Sequence, residues 1–254
     1  MSTALTPRNV PASYRIATAG WSIPVELRDH FSSSGSLLER YATVFNAVEI
    51  NSSFYRSHRR MTYERWAASV PDDFRFSVKM PKQITHDLRL LEVDAPLDHF
   101  LGEVSGLGEK LGAILIQLPP SLTFDQETAD DFLSRVRSQF DVLLAIEPRH
   151  PSWFGGQAAE TLMRSQIELV IADPPPCPGA PGWSQTSSAG YFRLHGAPRI
   201  YYSDYAEDAL AALALRVSRA DQSSWCIFDN TAAGRATANA LGLLRRLAIL
   251  ESCS

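Results

Sequence analysis

Cysteine is scarce in this sequence and badly placed for cross-linking. The three present, Cys177, Cys226 and Cys253, are odd in number and widely spaced, with no Cys-x-x-Cys pair. That argues against a disulfide framework or a structural zinc site and fits a reducing compartment. No apolar run approaches the roughly 18 residues that a membrane span needs. Residues 1–13 carry no basic-then-apolar leader pattern, so a cytoplasmic protein with no membrane partner is expected. Basic charge is not in excess either. The net charge is −4, which counts against long duplex nucleic acid, where affinity is mostly phosphate contacts. A Gly-rich phosphate turn is missing after the first strand, where Gly20-Trp21-Ser22-Ile23-Pro24 stands instead. HxH and HExxH spacings, which would grip a metal, are missing too. There is no internal repeat, low-complexity tract or dividing linker. Residues 1–13 therefore read as a flexible arm and 14–254 as one domain. With 45% hydrophobic and 20% charged residues over 254 positions, the composition is that of an ordinary globular chain with enough length for one large core.

What the chain does have is alternation. Short apolar strand candidates lie at 14–20, 47–53, 74–80, 112–117, 142–146, 168–173, 191–196 and 225–230. Helical patterns separate them, at 60–70, within 97–110, and at 157–166, 206–219 and 231–250. Ser36 and Glu39 form a capping box ahead of Leu38, Tyr41, Ala42 and Phe45 at helical spacing. Asp125 caps a helix that carries Phe132, Leu133, Val136 and Phe140 on one side. Thr85-His86 reads as loop. Residues 174–188, rich in Pro, Gly and Ser, read as an irregular crossover and a candidate lid. Eight strands spaced by helices predict an α/β fold, a TIM-like (β/α)8 barrel with one irregular crossover between strands six and seven. A doubly wound open sheet is the competitor.

The strands end on polar residues. In order these are Trp21, Glu49, Asn51, Lys79, Gln117, Glu147, Arg149, His150, Asp173, Arg193, His195, Asp229 and Asn230. Strand side chains alternate faces, so Glu147 and Arg149 point the same way, as do Arg193 and His195. Each residue alone could be a cap or a local ion pair. All sit at carboxyl ends, where a barrel builds its sites. Together they predict a concave charged pocket with an aromatic rim, suited to a small anionic or sugar-like ligand. Tyr201, Tyr202 and Tyr205 either line that pocket or pack their own loop.

Seven blocks carry a resemblance. They are Ala19-Gly20-Trp21, Phe45-Asn46-Ala47-Val48-Glu49-Ile50-Asn51-Ser52-Ser53-Phe54-Tyr55, Phe76-Ser77-Val78-Lys79 with Ile84-Thr85-His86, and Leu115-Ile116-Gln117-Leu118-Pro119-Pro120. Glu147-Pro148-Arg149-His150-Pro151-Ser152-Trp153, Tyr191-Phe192-Arg193-Leu194-His195-Gly196 and Phe228-Asp229-Asn230 complete them. In this order, over about residues 15–245, they resemble the DUF72, or YecE-like, family. The resemblance implies a TIM-barrel-like fold and brings no assigned reaction. Asp229 departs from the family, which usually has asparagine there. Ser53 stands where threonine is common.

Three functional readings follow from the residues. In the first, a metal-independent hydrolase or related enzyme without a cofactor acts on a phosphate-bearing or sugar-like substrate. Lys79, Arg149 and Arg193 bind the anion. Glu147 or Glu49 is base or nucleophile, and His195 shuttles the proton. Trp21, Tyr55 and Trp153 stack on a ring. Gln117, Asp173, Asp229 and Asn230 line the pocket, and His86 and His150 either join the site or brace strand ends. In the second, Glu147, Asp173 and His195 hold a divalent metal for a phosphoesterase, endonuclease-like or sugar-isomerase-like reaction, although Arg149 and Arg193 would repel the cation. A glycosidase pairing of Glu49 and Glu147 is a further form of carboxylate chemistry. In the third, the chain binds a nucleotide or a single-stranded nucleic-acid end without catalysis.

Overall fold

Whether a strand residue faces the helices or the opposite side is set by its parity, and this chain uses parity to build two different cores. The computed structural model describes residues 14–182, 190–219 and 224–252. Its strands are β1 (Tyr14–Thr18), β2 (Ala47–Ile50), β3 (Arg75–Lys79), β4 (Leu111–Gln117), β5 (Leu143–Glu147), β6 (Glu168–Leu169), β7 (Ile171–Asp173), β8 (Tyr191–Leu194) and β9 (Ser224–Phe228). Helices α1 (Leu37–Tyr41), α2 (Arg60–Ala68), α3 (Asp94–Val104), α4 (Gln126–Gln139), α5 (Gly156–Arg164), α6 (Glu207–Ser218) and α7 (Arg235–Ser252) lie between and after them. Every strand pairing is parallel, in two sheets of order β1-β9-β8-β7 and β2-β3-β4-β5-β6.

The sheets are linked at two places. Ala19 forms a parallel bridge with Glu49, and the Gly20 N–H donates to Glu49 O at 2.8 Å. At the other junction the strand expected over 168–173 is split. β6 pairs with β5 in one sheet and β7 with β8 in the other, while between them the Val170 N–H donates to Ile146 O at 2.8 Å.

Several local expectations hold for stated reasons. Ser36 accepts from the Glu39 N–H, and Glu39 accepts from the Ser36 N–H, closing the capping box of α1. Asp125 accepts from the Thr128 N–H at the start of α4. Others differ. The second strand stops at Ile50 because the chain turns through a short 3-10 segment at Ser52–Phe54. There the Ser53 hydroxyl lies 2.9 Å from Ile50 O and 2.6 Å from Lys79 O. Thr85-His86 sits on a single π-helical turn, Gln83–Asp87, not on an open loop. Residues 174–182 form no helix or strand. The rest of the expected lid, the arm at 1–13 and Cys253 lie outside the described residues.

On the helix-facing side the strands contribute large residues, among them Ile16, Val48, Val78, Ile116, Ile146, Phe192 and Phe228. The other side carries a separate cluster rich in small ones: Ala17, Ala47, Ala113 and Ala145, filled by Leu115, Tyr191, Trp225 and Ile227. Tyr191 and Trp225 stack with ring centroids 6.0 Å apart. The Tyr191 hydroxyl, from one sheet, lies 2.6 Å from Ser77 Oγ of the other, so these two faces meet. Two positions beyond Ala47, Ser77, Leu115, Ala145, Tyr191 and Ile227 come Glu49, Lys79, Gln117, Glu147, Arg193 and Asp229, all buried. The charged layer continues the inner face of the strands.

Gly112 tests how tightly that inner cluster is packed. A Cβ there would lie 2.7 Å from Trp225 Cζ2 and 3.0 Å from Arg75 Cβ, and Trp225 is buried against Tyr191. Gly112→Ala is expected to destabilise the protein by about 1–3 kcal/mol through overpacking, read as a lower midpoint in urea at unchanged slope. An unchanged midpoint would mean that Trp225 moves aside freely.

Candidate functional site

Arg193 lies at the centre of the charged layer. In β8, parity sends Phe192 and Leu194 toward the helices and Arg193 inward, where its side chain is wholly buried. The guanidinium holds Glu49 with two bonds, Nε to Oε2 at 3.1 Å and Nη2 to Oε1 at 2.8 Å. Nη1 donates to Glu147 Oε2 at 2.6 Å and Nη2 to Asp229 Oδ2 at 2.9 Å. One fork thus serves three carboxylates, the bidentate geometry for which arginine is suited. Glu49 also accepts from the Tyr191 hydroxyl at 2.9 Å. Glu147 Oε1 accepts from Gln117 Nε2 at 2.9 Å and from Arg149 Nη2 at 3.1 Å.

These contacts fix protonation. Burial alone would raise the Glu147 pKa, but Arg193, His195 and Arg149 outweigh it and hold the carboxyl well below the usual range. Asp229 follows the same logic: burial opposes, and Arg193 and His195 hold it low. Burial would likewise lower Arg193, and the three carboxylates push it well above its ordinary value.

His195 follows β8, just before a turn that only glycine fits. Gly196 has φ +87°, and a Cβ there would meet Ser203 O at 2.6 Å. Nδ1 of His195 lies 3.1 Å from Asp229 Oδ2. A carboxylate only accepts, so Nδ1 carries the proton. Nε2 sits 3.3 Å from Glu147 Oε1, within ion-pair reach. That contact is out of line for a hydrogen bond, and Nε2 has no hydrogen-bond partner among the described residues. Burial lowers the His195 pKa, but Glu147 and Asp229 raise it further, leaving it above the ordinary value. Tyr201, in left-handed backbone at φ 71°, stands edge-on to the imidazole with centroids 5.6 Å apart. Its hydroxyl accepts from Arg149 Nη2 at 3.4 Å.

Lys79 is 7% exposed and has no carboxylate in ion-pair reach among the described residues. Its Nζ lies 4.2 Å from the centre of the Phe54 ring. Burial and Arg193 bring its pKa down to about 8, against the pull of Glu49, Glu147 and Asp229. Asn51 Nδ2 donates to Asp229 Oδ1 at 3.4 Å, while its buried Oδ1 has no partner among the described residues. Asn51 also lines a cavity of about 240 Å³ with Gly20, Trp21, Ser22, Leu37, Ile50 and Ser52. Trp21 is half-buried there, edge-on to Trp66 at 5.2 Å.

The remaining expected site residues make other contacts. Trp153 is in the core, its indole N–H bonded to Leu122 O at 3.0 Å and its ring against Phe124. His150 accepts from the Ser152 N–H and caps a short 3-10 turn. Asp173 accepts from the Tyr205 hydroxyl at 2.7 Å. Asn230 donates to Ser203 O and to Asn239 Oδ1, tying loop to helix. Tyr55 is exposed, its ring against Phe54. His86 packs on the same Phe54 ring at 5.0 Å. Burial, Lys79, Lys82 and Arg149 lower its pKa to about 4. Ser77 and Tyr191 belong to the site without having been anticipated, and the signal for both was their parity with Lys79 and Arg193.

The alternative metal set does not fit. Asp173 is turned to Tyr205, and the Glu147 oxygens are occupied by two guanidinium groups and an amide. Among the described residues no three His, Cys, Asp or Glu side chains are arranged to hold a metal. A cation would face Arg193 at the centre.

Replacing Arg193 should show what the fork sustains. Arg193→Met leaves buried carboxylates without their partner and is expected to cost about 3–5 kcal/mol at pH 7. Glu147 and Asp229 have depressed pKa values when folded. Their contribution is therefore present above their unfolded values of about 4 and fades as pH falls through the folded ones. The gap between wild type and variant in urea unfolding should narrow below about pH 4. A gap independent of pH would mean that lost packing, not charge, sets the cost.

Comparison with known proteins agrees with this architecture. The model of a family described as protein of unknown function DUF72 matches residues 15–252. Over 162 residues the chain is 33% identical to the UPF0759 protein YecE of Escherichia coli, covering 61% of this chain and 57% of YecE. This chain therefore matches little more than half the length of that relative. A crystal structure of a DUF72 family protein from Enterococcus faecalis superposes with a TM-score of 0.75 at 24% identity, covering 92% of this chain and 95% of that one. One from Thermotoga maritima superposes with a TM-score of 0.72 at 27% identity, covering 93% and 98%. The shared architecture is a TIM-barrel-like α/β fold with parallel sheets. The chain belongs to the DUF72 family.

Proposed function

We propose that this chain is a metal-independent hydrolase or related enzyme in which His195 acts as general acid on a phosphate-bearing or sugar-like substrate. We place its pocket at the carboxyl ends of eight strands closed into one (β/α)8 barrel over residues 14–254, counting β6 and β7 as one strand. The Ala19–Glu49 bridge and the Val170 N–H bond to Ile146 O support closure.

One observation carries the functional reading. His195 is buried and held at Nδ1 by Asp229, while Nε2 has no hydrogen-bond partner among the described residues. A carboxylate on one imidazole nitrogen and a working position on the other is the arrangement of an oriented acid–base catalyst. With both nitrogens protonated, Nε2–H can be given to a leaving oxygen. Asp229 is then a positioning residue, and Glu147 beside Nε2 favours the charged ring. Glu147 and Glu49 serve better as anchors than as base, since Arg193 saturates them. Arg149, 28% exposed at its side chain, is the guanidinium that can reach a ligand's phosphate or carboxylate. With Trp153 in the core, an aromatic platform for a nucleic-acid strand has lost one of its three supports, so the enzyme reading is preferred to the non-catalytic one.

The test begins with a thermal-shift screen of sugar phosphates and nucleotides, because a ligand that binds only the folded state raises the melting temperature, by an amount that grows with the logarithm of its concentration relative to Kd. The expected hit stabilises the wild type and His195→Gln but not Arg149→Met. On a hit that turns over, His195→Gln should lower kcat by about 10²–10⁴-fold. Activity should fall as pH rises through the elevated His195 pKa, and Asp229→Asn should move that falling limb to lower pH, since a carboxylate that favours the cation is gone. Full turnover by His195→Gln would end the acid role.

A further inference from the structure

The chain has three lysines, Lys79, Lys82 and Lys110, and two of them are spoken for. Lys82 Nζ pairs with Asp87 Oδ1 at 2.8 Å on the surface. Lys110 Nζ donates to Ala67 O at 2.8 Å and Val70 O at 2.7 Å. Lys79 differs from both. It is the most buried of the three and stands beside a cluster of three carboxylates. Yet it takes no oxygen in ion-pair or hydrogen-bond reach among the described residues, because the Arg193 fork has bound all three. What it touches is the Phe54 ring at 4.2 Å, with His86 on that ring as well.

A lysine kept only for its charge would pair with one of those carboxylates. An amine that is desolvated, next to another cation and free of acceptors is instead set up as a nucleophile. We propose that Lys79 forms an imine with the carbonyl carbon of its substrate, an aldehyde or ketone bearing a phosphate or carboxylate group, as an open-chain sugar phosphate does. The proposal rests on the reading above for Arg149 as anion holder and His195 as acid, and it names the substrate's reacting group.

The neutral Lys79 nitrogen attacks the carbonyl carbon, and the π pair moves to oxygen, which takes a proton from His195 Nε2. The nitrogen of the resulting carbinolamine returns a proton to His195. The hydroxyl then takes that proton and departs as water as the nitrogen lone pair forms the C=N bond. The product at that point is the iminium, with His195 neutral. When the iminium returns its N–H proton to His195, amine and carbonyl have given imine and water, with no net oxidation and with His195 restored. The pKa of about 8 supports a neutral fraction near physiological pH. The groups that set it are Arg193, Glu49, Glu147 and Asp229, with His86 across the Phe54 ring.

Reductive trapping tests this on the full chain. The protein is incubated with sodium cyanoborohydride and either dihydroxyacetone phosphate or dihydroxyacetone, and the modified lysines are located by peptide mass. Dihydroxyacetone phosphate should label Lys79 about ten-fold or more faster than Lys82 or Lys110, with a rate that rises with pH to a half-maximum near pH 8. Lys79→Arg should abolish that label while circular dichroism stays unchanged. The two other lysines serve as internal controls in the wild type, so the result does not depend on the variant folding. Equal labelling of all three lysines, or labelling that spares Lys79, overturns the imine. Preferential labelling of Lys79 by both probes equally, unchanged in Arg149→Met, supports the imine and overturns Arg149 as anion holder.

Discussion

The bonds from Arg193 to Glu49, Glu147 and Asp229 are the constraint on which the rest of this structure depends. They join residues 144 and 46 positions apart in one direction and 36 in the other, and those to Glu49 and Glu147 cross between the two sheets. Taking four such groups out of water costs several kcal/mol each, and a hydrophobic replacement of equal volume is often as stable. Stability is therefore a poor reason for the cluster to exist. Its physical effect is to fix charge. With Arg193 in place, Glu147 and Asp229 remain ionised in a buried setting, and their charge in turn keeps His195 protonated above its ordinary range.

The same fork decides what is left over. Three carboxylates committed to Arg193 leave Lys79 with no carboxylate in ion-pair reach among the described residues, so burial and the neighbouring guanidinium bring it down to about 8 against their more distant pull. His195 moves up from the other side. Two groups whose ordinary values lie far apart are thereby drawn toward neutrality, one as an acid and one as a part-neutral amine. Shifts of this kind are what the proposed roles of the two groups require. Glu147, which the sequence presents as the natural base, is held ionised by Arg193, His195 and Arg149 at a pKa well below the usual range.

Much of this was legible in the sequence because strand parity is a local property. An inward alanine at 47 or 145 puts the residue two positions on, Glu49 or Glu147, on the same face. The α/β alternation, the two helix caps and the Glu147–Arg149 and Arg193–His195 pairs all follow from such short-range rules. Parity does not reach His150 and Trp153, which lie past β5 at a 3-10 turn. Asp173 and Asn230 share the helix-facing parity of Ile171 and Phe228, and so turn away from the charged layer. Long-range pairing was equally hidden. Nothing local says that Arg193 is sealed beneath the site while Arg149 stays at its rim, or that Tyr191 and Ser77 bond across two sheets.

Depth orders the roles. Tyr191, Ser77 and Trp225 form a floor with no water contact to speak of, and the Arg193 layer above it is saturated by its own members. A ligand entering from the strand ends cannot displace those bonds without leaving a buried charge unpaired, at a cost comparable to a typical binding energy. The groups able to meet it are those the layer leaves incomplete: Nε2 of His195, Oδ1 of Asn51, the Lys79 amine and the half-exposed Arg149. Their chemistry is a cationic donor, an amide acceptor, an amine and a guanidinium. Under the proposed function, that set would take an anionic ligand carrying an acceptor oxygen and a hydroxyl, such as the phosphorylated carbonyl compound of the proposed imine, in preference to a neutral hydrophobic one.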